Sequence, residues 1–255
     1  MNVLDSIIEG VREDLAARRL PLSEIQQLLE RAPKVISPIF PIDQLSVIAE
    51  VKRRSPSKGE LSDIPEPAKL AAKYQEAGAA AVSVLTERRR FNGSLEDFDA
   101  VRSEIELPML RKDFMIDEYQ FYEARAHGAD LILLIVAALS KNQLKDYFEL
   151  TKELGMKALI EIHSHDELER AMDINPEIIG VNSRNLKSLE VDSNNFKELL
   201  PRIPSQIIKV AESGISSRSD VEFTESAGAN VILVGEALVK AGDPISSMAA
   251  LLGRK

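Results

Sequence analysis

Residues 126–136 read Ala-His-Gly-Ala-Asp-Leu-Ile-Leu-Leu-Ile-Val, a glycine followed closely by a continuous apolar run. An unbroken run of this kind is typical of a strand covered on both faces, as the strands of parallel sheets are. Gly128 suits the end of the preceding helix because glycine adopts a left-handed backbone without strain. The stretch therefore predicts a helix, a tight turn and a buried parallel strand.

The same pattern repeats along the chain from residue 47 onward. Apolar runs that predict strands occupy residues 47–51, 79–85, 107–110, 131–136, 158–162, 178–181, 207–211 and 231–234. Amphipathic segments that predict helices between them include 66–77, 117–127, 141–154, 166–172 and 218–227. Eight strands that start at intervals of roughly 20 to 32 residues have the spacing of a (β/α)8 barrel, also called a TIM barrel.

The main alternative to a barrel is a doubly wound open sheet, which usually has a glycine-rich phosphate turn after its first strand. Here the first predicted strand runs into Lys-Arg-Arg-Ser-Pro at residues 52–56, which favours the barrel. We expect a single domain over residues 1–255, with a helical extension at 1–45 and the barrel at 46–255. The second helix of the extension is predicted at residues 23–31, with Ser23 as its N-cap. The sequence leaves open whether the extension covers the bottom or the mouth of the barrel.

The composition excludes several classes of protein. Hydrophobic residues make up 44% of the chain and charged residues 29%, as in an ordinary soluble globular protein. The chain has no cysteine, which excludes disulfides, thiolate catalysis and cysteine-bound metals. A net charge of -9 argues against nucleic acid as the main partner. The acidic, amphipathic first helix and the lack of a long apolar run predict a cytoplasmic protein with no membrane partner.

Charged residues stand where the apolar runs end. Because side chains alternate along a strand, Glu50 and Lys52 share one side of the first strand. The residues at matching strand ends are Glu50, Lys52, Lys112, Glu161, Arg184 and Glu212. Barrel strands converge on one mouth, where active sites lie, so three cations and three anions predict a balanced acid–base network there. Arg111 and Asp113 alternate with Lys112, so they should instead face the helix layer. The alternative that these two charges are simply solvated strand ends stays open.

Small residues follow the last two predicted strands. Ser-Gly-Ile-Ser occupies residues 213–216, and Gly-Glu-Ala-Leu occupies residues 235–238. Backbone N–H groups there can approach a ligand closely, and a helix N-terminus favours an anion, which in barrels is usually phosphate. A glycine at a strand end often serves only to form a turn, so neither segment alone predicts a phosphate site. The occurrence of both segments, after the last two strands, does.

Several of these segments resemble the signatures of the indole-3-glycerol phosphate synthase family. The likeness runs in order over residues 47–238, and the segments that carry it are 48–59, 83–87, 91–94, 110–114, 161–163, 180–186 and 212–215. One departure is Ser183, which stands where the family commonly has asparagine and should face away from the mouth. Another is the basic loop Arg88-Arg89-Arg90. We interpret it as a solvated loop, with attraction of a doubly anionic substrate as the lesser alternative.

The resemblance implies a carboxy-lyase of tryptophan biosynthesis that needs no metal and no organic cofactor. Its substrate would be 1-(2-carboxyphenylamino)-1-deoxy-D-ribulose 5-phosphate. Ring closure with loss of CO2 and water would give indole-3-glycerol phosphate. By the resemblance, Lys112 is the general acid and Glu161 the acid or base of the later dehydration. Glu50 would be a further catalytic carboxylate, Lys52 would polarise the substrate, and Asn182 would hold a substrate hydroxyl or steer a catalytic group.

The resemblance also implies the residues that bind the substrate. Arg184 suits a carboxylate or phosphate, since its planar fork binds such anions in pairs. Phe91 and Phe114 are candidates for an apolar wall against the aromatic ring, with ordinary core packing as an equal alternative. Glu212 belongs to the substrate-binding set or only anchors the lysines. The predicted phosphate cradle consists of Ser55, Ser213, Gly214, Gly235 and, through its backbone N–H, Glu236.

Two other functions remain as alternatives. The first is another phosphate-binding barrel isomerase, such as phosphoribosylanthranilate isomerase. Isomerases of that kind rely on a cysteine or aspartate acid–base pair, whereas this chain has no cysteine and offers lysines instead. The second is a non-catalytic phosphate-binding barrel subunit. Such a subunit would be expected to lack the lysine–glutamate pairs, but they are all present here. We expect a monomer or weak homo-oligomer, with contacts to other tryptophan-pathway enzymes as a further expectation.

Overall fold

A computed structural model describes residues 2–57, 59–61, 64–240 and 242–254, and eight parallel strands within them close into a barrel. Each strand pairs with its neighbours in chain order, and the last strand pairs with the first to close the ring. The predicted (β/α)8 fold is therefore confirmed. The strands are β1 (Ser46–Val51), β2 (Ala81–Leu85), β3 (Met109–Lys112), β4 (Leu131–Ile135), β5 (Lys157–Ile162), β6 (Ile178–Asn182), β7 (Ile208–Glu212) and β8 (Val231–Val234).

Helices surround this barrel and connect its strands. They are α1 (Val3–Arg18), α2 (Leu22–Arg31), α3 (Pro67–Glu76), α4 (Arg88–Phe91), α5 (Leu95–Glu104), α6 (Tyr119–Ala126), α7 (Lys141–Glu153), α8 (His165–Met172), α9 (Asn194–Leu199), α10 (Arg218–Ser226), α11 (Glu236–Lys240) and α12 (Pro244–Leu252). A short hairpin joins Arg54–Ser55 to Gly59–Glu60 after β1. Among the described residues, no helix is both long enough and apolar enough to span a membrane.

The strands build two apolar layers from alternating residues. On β1, Val47 and Ala49 pack against the surrounding helices, whereas Ile48 points into the barrel interior. Both layers bury apolar side chains, which stabilises the fold by about 25 cal/mol per Å² removed from water. The inward row of β1 continues from Ile48 to Glu50 because the side-chain period is two. The periodicity that packs the core therefore also delivers charges to the mouth.

One predicted strand lies two residues away from its observed position. The sequence predicts a strand over 107–110, but β3 runs from Met109 to Lys112. Pro108 has no N–H to donate to a strand ladder, which disfavours a start before it. The strand then continues through Arg111 and Lys112 because both charges have partners in the fold.

The predicted N-cap of the second helix is wrong. α2 begins at Leu22, its N-cap is Pro21, and no side chain caps it. The Pro21 carbonyl accepts hydrogen bonds from the N–H groups of Glu24 and Ile25, at 3.0 and 3.2 Å. The first turn of the helix is thereby closed from Pro21, and Ser23 lies inside the helix.

The N-terminal extension covers the mouth of the barrel with its first helix. Leu4, Ile7 and Val11 of α1 are buried in the same apolar cluster as Phe114, which follows β3. Ile7 also contributes to the wall of the central cavity. α1 therefore closes one side of the space into which the strand ends point.

The segment after α2 crosses the opposite end of the barrel. The Ile36 N–H donates to Asp130, just before β4, at 2.6 Å. The Ile42 carbonyl accepts a hydrogen bond from Asn230, just before β8, at 3.1 Å. Both partners lie at the N-terminal ends of strands, so this segment covers the barrel bottom. The extension thus occupies both positions that the sequence left open.

Arg88, Arg89 and Arg90 after β2 are exposed, as the sequence suggested, but they form a helix rather than a loop. Residues 88–91 form the short helix α4, whose second arginine pairs with α1. Arg89 lies 2.6 Å from Glu13 and 2.7 Å from Asp14. Arg90 donates a hydrogen bond to Ser6 at 2.6 Å. These contacts fasten α1 to the rim of the mouth.

Candidate active site

A cavity of about 940 Å³ opens at the C-terminal ends of the strands. Its wall is formed by strand ends, the loops that follow them and one residue of α1. Every residue that the sequence predicted for the site lies in this wall. They are Glu50, Lys52, Ser55, Phe91, Lys112, Phe114, Glu161, Asn182, Arg184, Glu212, Ser213, Gly214, Gly235 and Glu236.

Lys112 lies among three buried carboxylates at the base of the cavity. Its Nζ is 3.0 Å from Glu212, 3.5 Å from Glu161 and 4.0 Å from Glu50, measured to Oε2 in each case. These side chains come from β3, β7, β5 and β1, and all point inward. A buried ion costs several kcal/mol in lost hydration unless it is paired, so the cluster satisfies its own charges.

The cluster shifts the protonation of its members. Burial alone would lower the pKa of Lys112, but the carboxylates of Glu212, Glu161 and Glu50 outweigh it and hold that pKa well above its usual range. Burial alone would raise the pKa of Glu161, but Lys112 and His163 lower it to about 2. The site therefore contains a charged ammonium next to an ionised carboxylate.

Glu212 differs from its neighbours. Burial raises its pKa to about 7, and Lys112 opposes that shift only in part, while Glu161 adds to it. Its Oε1 is buried and has no hydrogen-bond partner among the described residues. Glu212 is thus the carboxylate of the cluster that holds a proton most readily near neutral pH.

Lys52 and Glu50 form a second pair on β1 and its end. The Lys52 ammonium donates a hydrogen bond to Oε1 of Glu50. Burial alone would raise the pKa of Glu50, but Lys52 and then Lys112 outweigh it and hold the pKa below its usual range. Gly235 gives this carboxylate room, because an added Cβ there would lie 3.2 Å from Oε1 of Glu50.

Asn182 and Arg184 follow each other on the cavity side of β6 and the residues after it. The Oδ1 of Asn182 accepts a hydrogen bond from the Arg184 N–H at 2.9 Å. The Arg184 guanidinium donates to Ser57 Oγ at 2.9 Å and to the Leu189 carbonyl at 3.0 Å. Ser183 between them points outward, as predicted, and its hydroxyl donates to the Ser213 carbonyl at 3.0 Å.

Two aromatic rings form an apolar side of the cavity. The centroids of Phe91 and Phe114 are 6.3 Å apart, and their planes are tilted by 39°. Ile7 of α1 and Leu186 of the loop after β6 belong to the same wall. Both rings therefore pack in the apolar core and also face the cavity, and their contact with a substrate ring stays a prediction.

The loops after β7 and β8 expose backbone at the cavity. Ser213 and Gly214 have φ angles of 69° and 73°, in the left-handed region that turns the chain sharply after β7. α11 starts at Glu236, immediately after Gly235. Backbone N–H groups in such turns and at the start of a helix form a concave site for an anion.

Arg111 and Asp113 face the helix layer, as their alternation with Lys112 predicts, but they are not solvated. Arg111 is fully buried and lies 2.8 Å from Glu123 of α6 and 3.1 Å from Asp113. Arg18 of α1 binds the same Glu123 at 2.9 Å. The outward side of β3 thus carries an ion network that links the N-terminal extension to the barrel.

The sequence analysis did not predict some of the residues that line the cavity. Ile7, Leu189 and Val191 line the cavity from segments outside the strand-end pattern. Their amphipathic or loop surroundings gave no signal because only the tertiary fold brings them to the mouth. Glu167, four residues after His163, contacts that histidine at 3.1 Å, and this helical spacing was the signal available for it.

The acidic cluster is not arranged as a metal site. Across the residues that the structure describes, no three His, Cys, Asp or Glu side chains group as metal ligands would. The three carboxylates converge on Lys112 Nζ instead.

A closed parallel barrel with a buried ammonium and carboxylates at its mouth defines the class of (β/α)8 barrel enzymes that use acid–base chemistry. A family model described as indole-3-glycerol phosphate synthase matches residues 4–251. The chain belongs to the indole-3-glycerol phosphate synthase family, whose members are carboxy-lyases of tryptophan biosynthesis.

Individual relatives support this membership. A protein of Mycolicibacterium gilvum named indole-3-glycerol phosphate synthase is 52% identical over 254 residues, covering 98% of this chain and 93% of that protein. One of Rhodococcus opacus with the same name is 51% identical over 256 residues, covering 99% and 95%. A crystal structure of 3-hexulose-6-phosphate synthase from Salmonella typhimurium matches with a TM-score of 0.66 at 13% identity, covering 82% of this chain and 97% of that one. Such a low identity shows the shared fold alone.

Proposed function

We propose that this protein converts 1-(2-carboxyphenylamino)-1-deoxy-D-ribulose 5-phosphate to indole-3-glycerol phosphate, with loss of CO2 and water. Family membership supports the reaction. The observation that carries it is the Lys112 ammonium, held among three buried carboxylates in the wall of the cavity. An acid that is charged before the substrate arrives suits a reaction that begins with activation of a ketone.

Ring closure joins the substituted carbon of the aromatic ring to the sugar ketone carbon. As that bond forms, the ketone oxygen gains negative charge and needs a proton. Lys112 donates it, and its high pKa keeps the donor charged before each turnover. Lys52 lies on the same side of the cavity and adds positive charge near the oxygen, while Glu50 holds Lys52 in position. Loss of CO2 then restores the aromatic ring.

Dehydration follows and uses Glu161 as a base. The new hydroxyl leaves as water with a proton from the Lys52 ammonium, and Glu161 removes a proton from the adjacent carbon that becomes part of the indole. Glu161 is ionised at rest, so it can accept a proton but has none to give. Asn182 directs this step by holding Glu161 and a substrate hydroxyl in one orientation. Glu212 completes the cluster by anchoring Lys112.

Substrate binding divides the cavity into an apolar and an anionic part. Phe91 and Phe114 contact the aromatic ring, while Arg184 binds the substrate carboxylate through its planar guanidinium. The exposed backbone after β7 and β8 supports a phosphate site there. The residues that we assign to the phosphate are Ser55, Ser213, Gly214, Gly235 and, through its backbone N–H, Glu236.

The decisive experiment is incubation of the purified protein with the carboxyphenylamino substrate. We expect indole absorbance and fluorescence to appear with release of one CO2 per product. A protein that binds the substrate but forms no indole would contradict the proposal. Incubation with phosphoribosylanthranilate, followed by detection of the carboxyphenylamino ketose, tests the isomerase alternative, for which we expect no conversion.

We also infer that residues 1–45 and 46–255 act as one unit, because α1 supplies part of the cavity wall. We propose that the protein works in the cytoplasm as a monomer or weak homo-oligomer, in contact with other tryptophan-pathway enzymes. Its place in a pathway of small phosphorylated metabolites supports this assignment. Sedimentation at micromolar concentration tests the oligomeric state.

A further inference from the structure

His163 is a buried titratable residue that the proposed reaction does not use. It follows β5 directly, and its side chain is 11% exposed. Glu161, two residues before it, lies in the cavity wall, and His163 contacts Glu161 from behind that wall. A histidine in this position acts on the substrate only through the glutamate.

The two oxygens of Glu161 have different partners. Oε2 lies 3.5 Å from Nζ of Lys112, on the cavity side. Oε1 lies 3.3 Å from Nε2 of His163. Nε2 makes no well-aligned hydrogen bond among the described residues, so the link to Oε1 is an ion-pair contact. The carboxylate is therefore held between two nitrogen groups on opposite sides.

The histidine ring is fixed by a second carboxylate. Oε2 of Glu167 accepts a hydrogen bond from the His163 backbone N–H at 2.7 Å and lies 3.1 Å from Nδ1 of the same residue. Glu167 lies in the first turn of α8, where the Ser164 hydroxyl accepts a hydrogen bond from its N–H at 3.3 Å. The helix start thus determines where the imidazole points.

We propose that His163, held by Glu167, is a positioning residue that fixes the Glu161 carboxylate and keeps it in the ionised form that a base requires. The inference deepens the proposed function and rests on Glu161 as the base. Burial alone would lower the pKa of His163, but Glu161 and Glu167 raise it to about 10. The ring therefore carries a proton on each nitrogen at neutral pH, with Nδ1 hydrogen-bonded to Glu167 and Nε2 in ion-pair contact with Glu161.

The charges around the pair determine what its loss would do. Glu161 faces Lys112 from β3, with Glu50 of β1 and Glu212 of β7 around the same ammonium. Without His163, Glu161 loses one of the two cations that lower its pKa and keeps only Lys112, which it shares with Glu212 and Glu50, so the pKa of Glu161 rises. Protonation of Glu161 then begins at higher pH and removes the base.

The first test is the pH dependence of the single-turnover rate in His163→Gln. We expect the acid limb of the profile to move upward by about one pH unit or more, since a nearby opposite charge shifts a carboxylate by about that amount. KM should change little, because His163 acts behind the cavity wall. An acid limb that stays in place would overturn the inference, even if the rate fell.

Two variants of α8 separate positioning from folding. Glu167→Gln removes the charge that holds the ring and leaves β5 unchanged, so we expect a shift in the same direction. Glu169→Gln changes an exposed glutamate of the same helix and should leave the profile unchanged. If His163→Gln does not fold, the comparison of Glu167→Gln with Glu169→Gln decides the question. An equal effect of both variants would contradict the inference.

Histidine NMR gives a readout that does not depend on activity. The chain has three histidines, so the wild-type spectrum contains three imidazole titrations. We expect one ring to stay charged beyond pH 8 and to titrate lower in Glu161→Gln and Glu167→Gln. If all three rings lose their proton below about pH 7, the inference is wrong. If one ring stays charged beyond pH 8 as expected but the protein shows no turnover, only the proposed function is contradicted.

Discussion

The carboxylate of Glu212 occupies the space that the missing side chain of Gly180 leaves on the neighbouring strand. A Cβ added at Gly180 would overlap Oε1 of Glu212 and would lie 3.1 Å from Leu159. Since the same carboxylate holds Lys112 at 3.0 Å, the absence of a side chain on β6 helps to position the ammonium. The site thus depends on a residue that has no functional group.

Gly180→Ala should therefore move Glu212 and misplace Lys112. We expect a loss of about 1 to 3 kcal/mol in the free energy of unfolding, as for other overpacked cores. The rate of indole formation should fall about ten-fold or more, which a barrier change of about 1.4 kcal/mol gives. The control is the same change in a Glu212→Ala background. An equal stability loss in both backgrounds would show that the effect does not pass through Glu212.

Lys112→Ala should abolish indole formation and leave the fold and phosphate binding largely intact. Without the cation, the pKa values of the buried carboxylates rise above their unfolded values, so the variant should lose more stability at pH 8 than at pH 5. Thermal unfolding at both pH values and phosphate titration measure these effects. The exposed Lys145→Ala is a matched control. Retained turnover in Lys112→Ala would remove the assigned role.

Glu161→Gln should slow a step after ring closure. The amide keeps the shape of the side chain but cannot accept the proton. We expect a ring-closed, decarboxylated compound to accumulate in quenched reactions, with CO2 released faster than indole forms. Glu153→Gln, on the exposed side of α7, serves as the control. If substrate binding alone is lost, the base assignment is wrong.

Glu212→Gln should change the pH dependence of stability. Because the pKa of Glu212 is raised from 4.5 to about 7 on folding, its stabilising contribution is full below pH 4.5 and is lost as the pH rises through 7. The variant lacks this titration, so its stability relative to the wild type should increase between pH 5 and pH 8. The increase is on the order of 3 kcal/mol at most. The exposed Glu198→Gln should show no such trend, and a flat difference for Glu212→Gln would argue against a raised pKa.

Strand periodicity made the fold and the inward charges predictable. A period of two separates Lys112 from Arg111 whatever surrounds them, and doubly covered strands read as continuous apolar runs. The sequence therefore predicted which side of β3 carries each cation. It missed the burial of Arg111, because that depends on Glu123 of α6 and Arg18 of α1, which are distant in the chain.

Features made by long-range contacts could not be predicted in the same way. The pairing of Arg89 with Glu13 and Asp14 depends on where α1 lies, and local patterning does not determine that position. The misplaced N-cap at Ser23 has a local cause, because Pro21 closes the first turn with its carbonyl alone. Gly180 lies in the segment 180–186 that carries the resemblance, but the sequence assigned it no role, because its importance is the space that it leaves for Glu212.

Arg111 and Lys112 are adjacent cations on opposite sides of β3, so catalysis requires this strand to pair in the correct register. A slip of β3 by one residue would exchange the two sides of the strand. It would point the Arg111 guanidinium into the reaction chamber and bury the Lys112 ammonium beside Glu123. A one-residue insertion or deletion between α5 and β3 therefore threatens more than a surface connection. A misaligned chain would lose its outer ion network and its general acid together, so turnover itself reports correct folding.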